Sequence, residues 1–156
     1  MDIGDYLIDP RGKNWSQLLS PWSGTIPPQF TLWLVNKLGD LFVVIEDGSV
    51  HMLDVGSGVV TRLADSRDHF ADLLGQGDNA GRWLLLSLVD ECASELPPLT
   101  DAQCYGFKIP PLLGGKYTLD NIEPTSLAIH YSLLADIHRQ TKDLPDGTKI
   151  KAVVVD

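Results

Sequence analysis

The stretch "LFVVIEDGSVHMLDVGSGVVTRLADS", residues 41–66, decides the fold. Asp47-Gly48 is a two-residue hairpin signal, because glycine takes the positive φ that a tight turn between twisted strands demands, and Gly56-Ser57-Gly58 marks a second turn. Three β-rich runs, about 41–46, 49–55 and 59–64, lie around these turns. Parallel strands need long crossovers, so runs joined this closely predict an antiparallel meander.

Upstream, Pro27-Pro28 followed by "QFTLWLVNKLGD" reads as a helix opened by proline in its first turn and closed by Gly39, with Phe30, Leu34 and Leu38 on one face. "NWSQLLSPW" leaves room for one helical turn, capped by Asn14 and stopped by Pro21. Downstream, Ser66 caps a short helix over "RDHFADLLG" that ends at Gly75, and "GQGDNAG" is a loop. "RWLLLSLVDECASEL" is apolar around most of its helical circumference, the pattern of a helix buried against a sheet, and Pro97-Pro98 ends it. A strand near 104–109, a double-proline break and a Gly114-Gly115 turn follow. After Pro124 comes a helix containing "LAIHYSLLADIHRQTKD", with a stop signal at "LPDG". The tail "TKIKAVVVD" is an edge strand or an ordered extension.

The expected class is therefore α+β: an antiparallel β-meander sheet packed against helices. A length of 156 residues, 44% of them apolar, suits one folded domain over 1–156. Its parts are a short N-terminal helical segment (1–39), the meander (about 41–64), and helices with a C-terminal strand/helix segment (66–156).

The formal charge is −9, and all of that excess falls in residues 1–104, since 105–156 is neutral. Such a balance argues against a nucleic-acid or anionic-membrane binder and suits a basic protein partner. Asp40, Glu46, Asp47, Asp54, Asp65, Asp68, Asp72 and Asp78 concentrate around the meander and the helix after it, and form the candidate partner-binding surface. Replacing Asp40, Glu46, Asp47 and Asp65 together with amides is expected to slow association with such a partner while the fold survives.

His130, Asp136 and His138 sit within nine positions of one another and invite reading as a site. With about 100° per residue on a helix, Asp136 lies about 160° from His138 and about 120° from His130, so one regular helix does not bring the three onto one ion or proton. His130 instead falls with Ile129, Leu133 and Ile137 on the apolar face. "VGSGV" lacks the G-x-S-x-G spacing of a nucleophile elbow, and "GQGDNAG" lacks the G-K-[ST] ending of a phosphate loop. Glu46-Asp47 and Asp90-Glu91 are adjacent pairs whose side chains diverge. Cys92 and Cys104 form no C-x-x-C and are expected as buried thiols. No catalytic set, metal or cofactor is expected. The N-terminus lacks an apolar signal region and no apolar run approaches the ~18 residues of a membrane span, so a cytoplasmic protein is expected.

The pieces "LFVVIEDGSVHMLDVGSG", "CYGFKIPPLLGGKY" and "HYSLLADIHRQTKDLPDGTK", in this order, resemble the C-terminal domain of bacterial type VI secretion immunity proteins that neutralise DNase effectors. That family is similar in style to the wider SUKH group of immunity proteins. The resemblance covers roughly residues 30–150, and Gly106, Phe107, Pro110, Gly114 and Gly115 match its most recognisable segment. Members often carry a further N-terminal domain about as long again, and none is expected within these 156 residues. The resemblance implies an immunity protein that binds a cognate toxin one to one and occludes it. It offers no catalytic motif to carry over. Two other readings stand beside it: a non-catalytic housekeeping or regulatory interaction module of the same fold, and an enzyme using His51, His69, His130 or His138.

Overall fold

The computed structural model describes residues 2–144. Its elements are α1 (Trp15–Leu18), β1 (Thr31–Val35), β2 (Leu41–Val44), β3 (Val50–Asp54), β4 (Val59–Ala64), α2 (Arg67–Leu74), α3 (Asn79–Leu84), α4 (Leu86–Glu95), β5 (Gln103–Phe107), β6 (Ile122–Ser126) and α5 (Leu127–Thr141). Strands β1-β2-β3-β4 form one antiparallel sheet in sequence order, and β5-β6 form a separate antiparallel pair. The α+β class with its antiparallel meander is what the structure has.

Alternation along β2 explains why "LFVV" reads as continuously apolar. Leu41 and Val43 point to one face, where Val35, Leu53 and Val55 join them against Leu127, Tyr131, Leu134 and Ala135 of α5 and against Trp22. Phe42 points to the other face, where Val50 and Ala64 meet Phe70 of α2 and Leu84 of α3. Both faces of the sheet are covered, so both sets of alternating residues are buried. Phe70 sits among three rings: 5.2 Å from Trp33, 5.7 Å from Phe42 and 5.3 Å from Trp83.

The meander turns form as expected: Gly48 sits at φ 85 and Gly58 at φ 76. Asn14 caps α1, and Ser66 caps α2 by accepting from the His69 amide. The first correction concerns residues 29–40, which are strand and turn. "TLWLV" is rich in aromatic and aliphatic residues that favour a pleated surface, and pairing with β2 wins over the helix-like flanks. The signals taken as a helix end belong to the β1–β2 turn. Asn36 Oδ1 accepts from the Leu38 and Asp40 amides, both at 3.0 Å, and Gly39 takes φ 86. Phe30, Leu34 and Leu38 accordingly enter three different apolar clusters.

A second correction divides the helix expected over "RWLLLSLVDECASEL". Leu85 lies at φ 54 and separates α3 from α4. The break sends Leu84 toward Phe70, while Leu88, Val89 and Cys92 turn to a cluster with Leu38, Tyr105 and Ile122. The loop expected over "GQGDNAG" ends earlier, because α3 begins at Asn79. Pro124, expected to precede the last helix at a boundary, sits inside β6, opposite Tyr105. As the outer member of a two-stranded pair, β6 tolerates a residue without an N–H. On α5 the apolar face is rotated from the expected one: Ile129 is 61% exposed, whereas Leu127, His130, Tyr131, Leu134 and Ile137 are buried. Pro145-Asp146-Gly147 of the expected stop and the tail "TKIKAVVVD" lie outside the described residues.

Candidate partner-binding surface

The eight carboxylates of the expected surface fall into separate settings. Glu46, Asp47 and Asp65 lie at one end of the meander, where β2 turns into β3 and β4 runs out, and Asp68 and Asp72 continue on α2; all five are exposed. Asp78 is exposed in the connection before α3. Asp40 and Asp54 lie at the opposite end, beside the β1–β2 and β3–β4 turns. One surface does not hold all eight.

At the first end, Arg62 bridges Asp47 at 3.4 Å and Asp65 at 2.9 Å. Asp47 also accepts from the Ser49 hydroxyl and amide, and these bonds, with Arg62, hold its carboxyl near 2. Arg62 likewise lowers Asp65. Arg67 leaves the acidic group to lie 5.7 Å over the Trp33 ring.

Asp40 is the correction among the site residues. It is 4% exposed, so it is not part of a partner-facing surface. Its Oδ2 accepts from Asn36 Nδ2 at 2.9 Å and its Oδ1 from the Val55 amide at 3.0 Å, which ties the β1–β2 turn to the β3–β4 turn. Burial, with Asp54 nearby, pushes its carboxyl up to about 7. The charge had suggested a surface position, but the polar groups of two tight turns require an acceptor inside.

Asp54 is half-buried. Its Oδ1 accepts from the Gly56 amide at 3.0 Å and from the Tyr117 hydroxyl at 3.3 Å. Burial first, and then the two aspartates, raise the Tyr117 hydroxyl above its ordinary range. A Cβ on Gly56 would lie 2.4 Å from that hydroxyl, so the glycine makes the approach possible. Sequence reasoning missed Tyr117, which follows the Gly114-Gly115 turn; nothing local announces a contact to a residue 63 positions earlier.

The histidines do not converge. His130 is 3% exposed, and its Nε2 donates to the Leu38 carbonyl at 2.7 Å; burial lowers its pKa to about 4. Cβ atoms on Gly39 or Gly106 would reach its ring at 3.0 and 3.2 Å, so two glycines make its slot. Asp136 pairs with Arg139. His138 stacks on Trp22 with centroids 5.6 Å apart. His51 bonds the Ser49 hydroxyl, and His69 Nδ1 accepts from the Asp65 amide. Among the described residues no three His, Cys, Asp or Glu side chains are grouped to hold a metal ion. Cys92 and Cys104 are buried free thiols, both raised by burial. A groove of about 790 Å³ runs between α1 and the start of β1, lined by Trp15, Leu19, Ile26, Phe30 and Leu32 with serines at its rim. No charged residue lines it, so it offers no group for proton transfer.

The carboxylates are thus spread over turns, the helix α2 and the connection before α3, and the four histidines occupy separate places. Residues 64–138 match the family model described as T6SS immunity protein Tdi1, C-terminal. The matched stretch starts at the last residue of β4 and takes in α2, α3, α4, the β5–β6 pair and most of α5. It contains "CYGFKIPPLLGGKY" and "HYSLLADIH" and leaves "LFVVIEDGSVHMLDVGSG" outside, so the family likeness read in the sequence holds over a narrower span. A search of curated proteins gave no match. Among solved structures, one described as "Crystal structure of Atu4351 from Agrobacterium tumefaciens" is similar with a TM-score of 0.58 and 18% identity, over 84% of this chain and 66% of that one. The present chain therefore spans just under two thirds of that structure, and the likeness is one of fold. No helix among the described residues is long and apolar enough to cross a membrane.

Proposed function

We propose that this chain is an immunity protein that binds a cognate type VI secretion effector in the cytoplasm and neutralises it by stoichiometric occlusion, without catalysis. The match of residues 64–138 to the immunity family carries the reading. The site geometry is compatible with it: His130 is a core residue, His138 stacks on Trp22, and His51 and His69 bond local groups of the meander end. Kinship with the SUKH group belongs to the same reading.

The effector is proposed to be a nuclease. A nuclease groove must be basic to hold phosphates, and carboxylates presented by a folded surface complement that charge and speed encounter. Glu46, Asp68, Asp72 and Asp78 are the residues assigned to this steering, with Asp47 and Asp65 partly neutralised by Arg62. Buried anchors then set the lifetime of the complex.

The test is co-expression with the effector encoded beside the gene. Cells making both proteins are expected to grow, and a tagged copy of this chain to retain the effector at equal stoichiometry. Growth arrest despite ample immunity protein, with nothing retained, would count against the proposal.

A further inference from the structure

The two ends of the meander differ in what their carboxylates already hold. Asp9, Asp47, Asp65 and Asp136 each pair with an arginine of this chain. Asp54 and Asp40 form no ion pair with any lysine or arginine among the described residues, although they sit beside each other at the turn end. Asp54 Oδ1 is used by Gly56 and Tyr117, while Oδ2 accepts nothing from the described residues.

Apolar surface adjoins Asp54. Val59 is the direct cross-strand partner of Asp54, so their side chains share a face, and Val59 is 55% exposed. Tyr117 is 38% exposed, and its ring packs edge-on against Phe107 with centroids 5.0 Å apart. The surroundings are closely packed. Gly56 and Gly58 bring the β3–β4 turn against Tyr117 and the His138 ring, and the Asp40 bond to Val55 fixes the turn from behind.

We propose that this turn end is the anchor point of the effector complex: an arginine of the basic partner places its guanidinium on Asp54 Oδ2 and its stem against Tyr117 and Val59. A carboxylate without a counter-charge among the described residues, packed beside an aromatic ring and an exposed aliphatic side chain, complements a guanidinium, which pairs with carboxylates and stacks on rings. The proposal rests on the immunity reading and adds where the partner's energy is concentrated. It also divides labour within the acidic residues: Glu46 and Asp68 at the far end steer, whereas Asp54 holds.

The experiment titrates the full chain with the neighbour-encoded effector at fixed salt and resolves on- and off-rates. Asp54→Asn keeps an oxygen for Gly56 and Tyr117, so the turn survives, and it is expected to raise Kd about tenfold or more, chiefly through the off-rate. Val59→Ser, on an exposed position, is expected to weaken binding about threefold to tenfold. The far-end pair Glu46→Gln with Asp68→Asn is expected to change the on-rate and leave the off-rate unaltered. Unaltered off-rates for both Asp54→Asn and Val59→Ser, with the unmodified protein binding tightly, would overturn the anchor while leaving the immunity reading in place. Failure of the unmodified protein to bind would overturn both.

Discussion

The two ends of the meander use the same residue type under opposite physical conditions. At the β2–β3 end, Asp47 and Asp65 are exposed and share Arg62; at the β3–β4 end, Asp40 is buried without a counter-charge among the described residues. Hence hydrogen bonds and Arg62 lower the carboxyls at the first end, while burial raises Asp40 at the second. The first end is solvated surface. The second is a junction where the β1–β2 turn, the β3–β4 turn, the segment carrying Tyr117 and the end of α5 meet.

The difference predicts unequal sensitivity to substitution. Asp40→Ala leaves the Val55 amide and Asn36 Nδ2 without their acceptor inside the protein, and is expected to cost about 2–4 kcal/mol, seen as a lower denaturant midpoint. Gly58→Ala is next. Its φ of 76 is strained for alanine, and the new Cβ would lie 2.2 Å from the His138 ring, so a loss of about 2–3 kcal/mol is expected. Gly48→Ala makes the matching change at the other end, where φ is 85 but nothing lies within 4 Å. It is expected to lose only about 1 kcal/mol. Equal losses at the two glycines would dissolve the distinction between the ends.

Asp40 and His130 also give the protein two opposed titrations. The Asp40 carboxyl is raised to about 7 from 3.8, so the folded state holds the extra proton and stability from this group falls as pH rises between those values. The His130 imidazole is lowered to about 4 from 6.5, so the unfolded state holds the extra proton and stability rises with pH across that window, by roughly 3 kcal/mol in all. The slopes oppose each other from about pH 4 to 6.5, and the unmodified protein is expected to show a shallow profile there. Asp40→Asn should expose a stability that climbs with pH, and His130→Leu one that declines. Parallel profiles for the two variants would contradict the assignment. The smallest effect belongs to Arg62→Gln, whose pairs are exposed and screened, and whose unfolding midpoint should stay within experimental error.

What was legible in the sequence follows the reach of the interactions. The β2–β4 meander could be read from Asp47-Gly48 and Gly56-Ser57-Gly58 because its turns are set by residues adjacent in the chain. β1 could not: "TLWLV" between Pro28 and Gly39 carries helix-like flanks, and only pairing with β2 decides its state. The break at Leu85 lies within a run of good helix formers, and it exists because Leu84 and Leu88 are drawn to different clusters. At the candidate site, the exposed carboxylates were legible from charge. The burial of Asp40 and the contact between Asp54 and Tyr117 were not, since both depend on segments that meet only in the folded chain. The separation of His130, Asp136 and His138 was legible, because helical geometry alone fixes it.

Stoichiometric neutralisation of an effector by covering it is the proposed activity of this chain. The decisive measurement titrates the neighbour-encoded effector with increasing amounts of the purified protein while following the effector's activity. Activity is expected to fall linearly and to be abolished at one equivalent, with a 1:1 complex on the sizing column. Full activity in excess protein, or activity lost at catalytic amounts of it, would rule out stoichiometric occlusion.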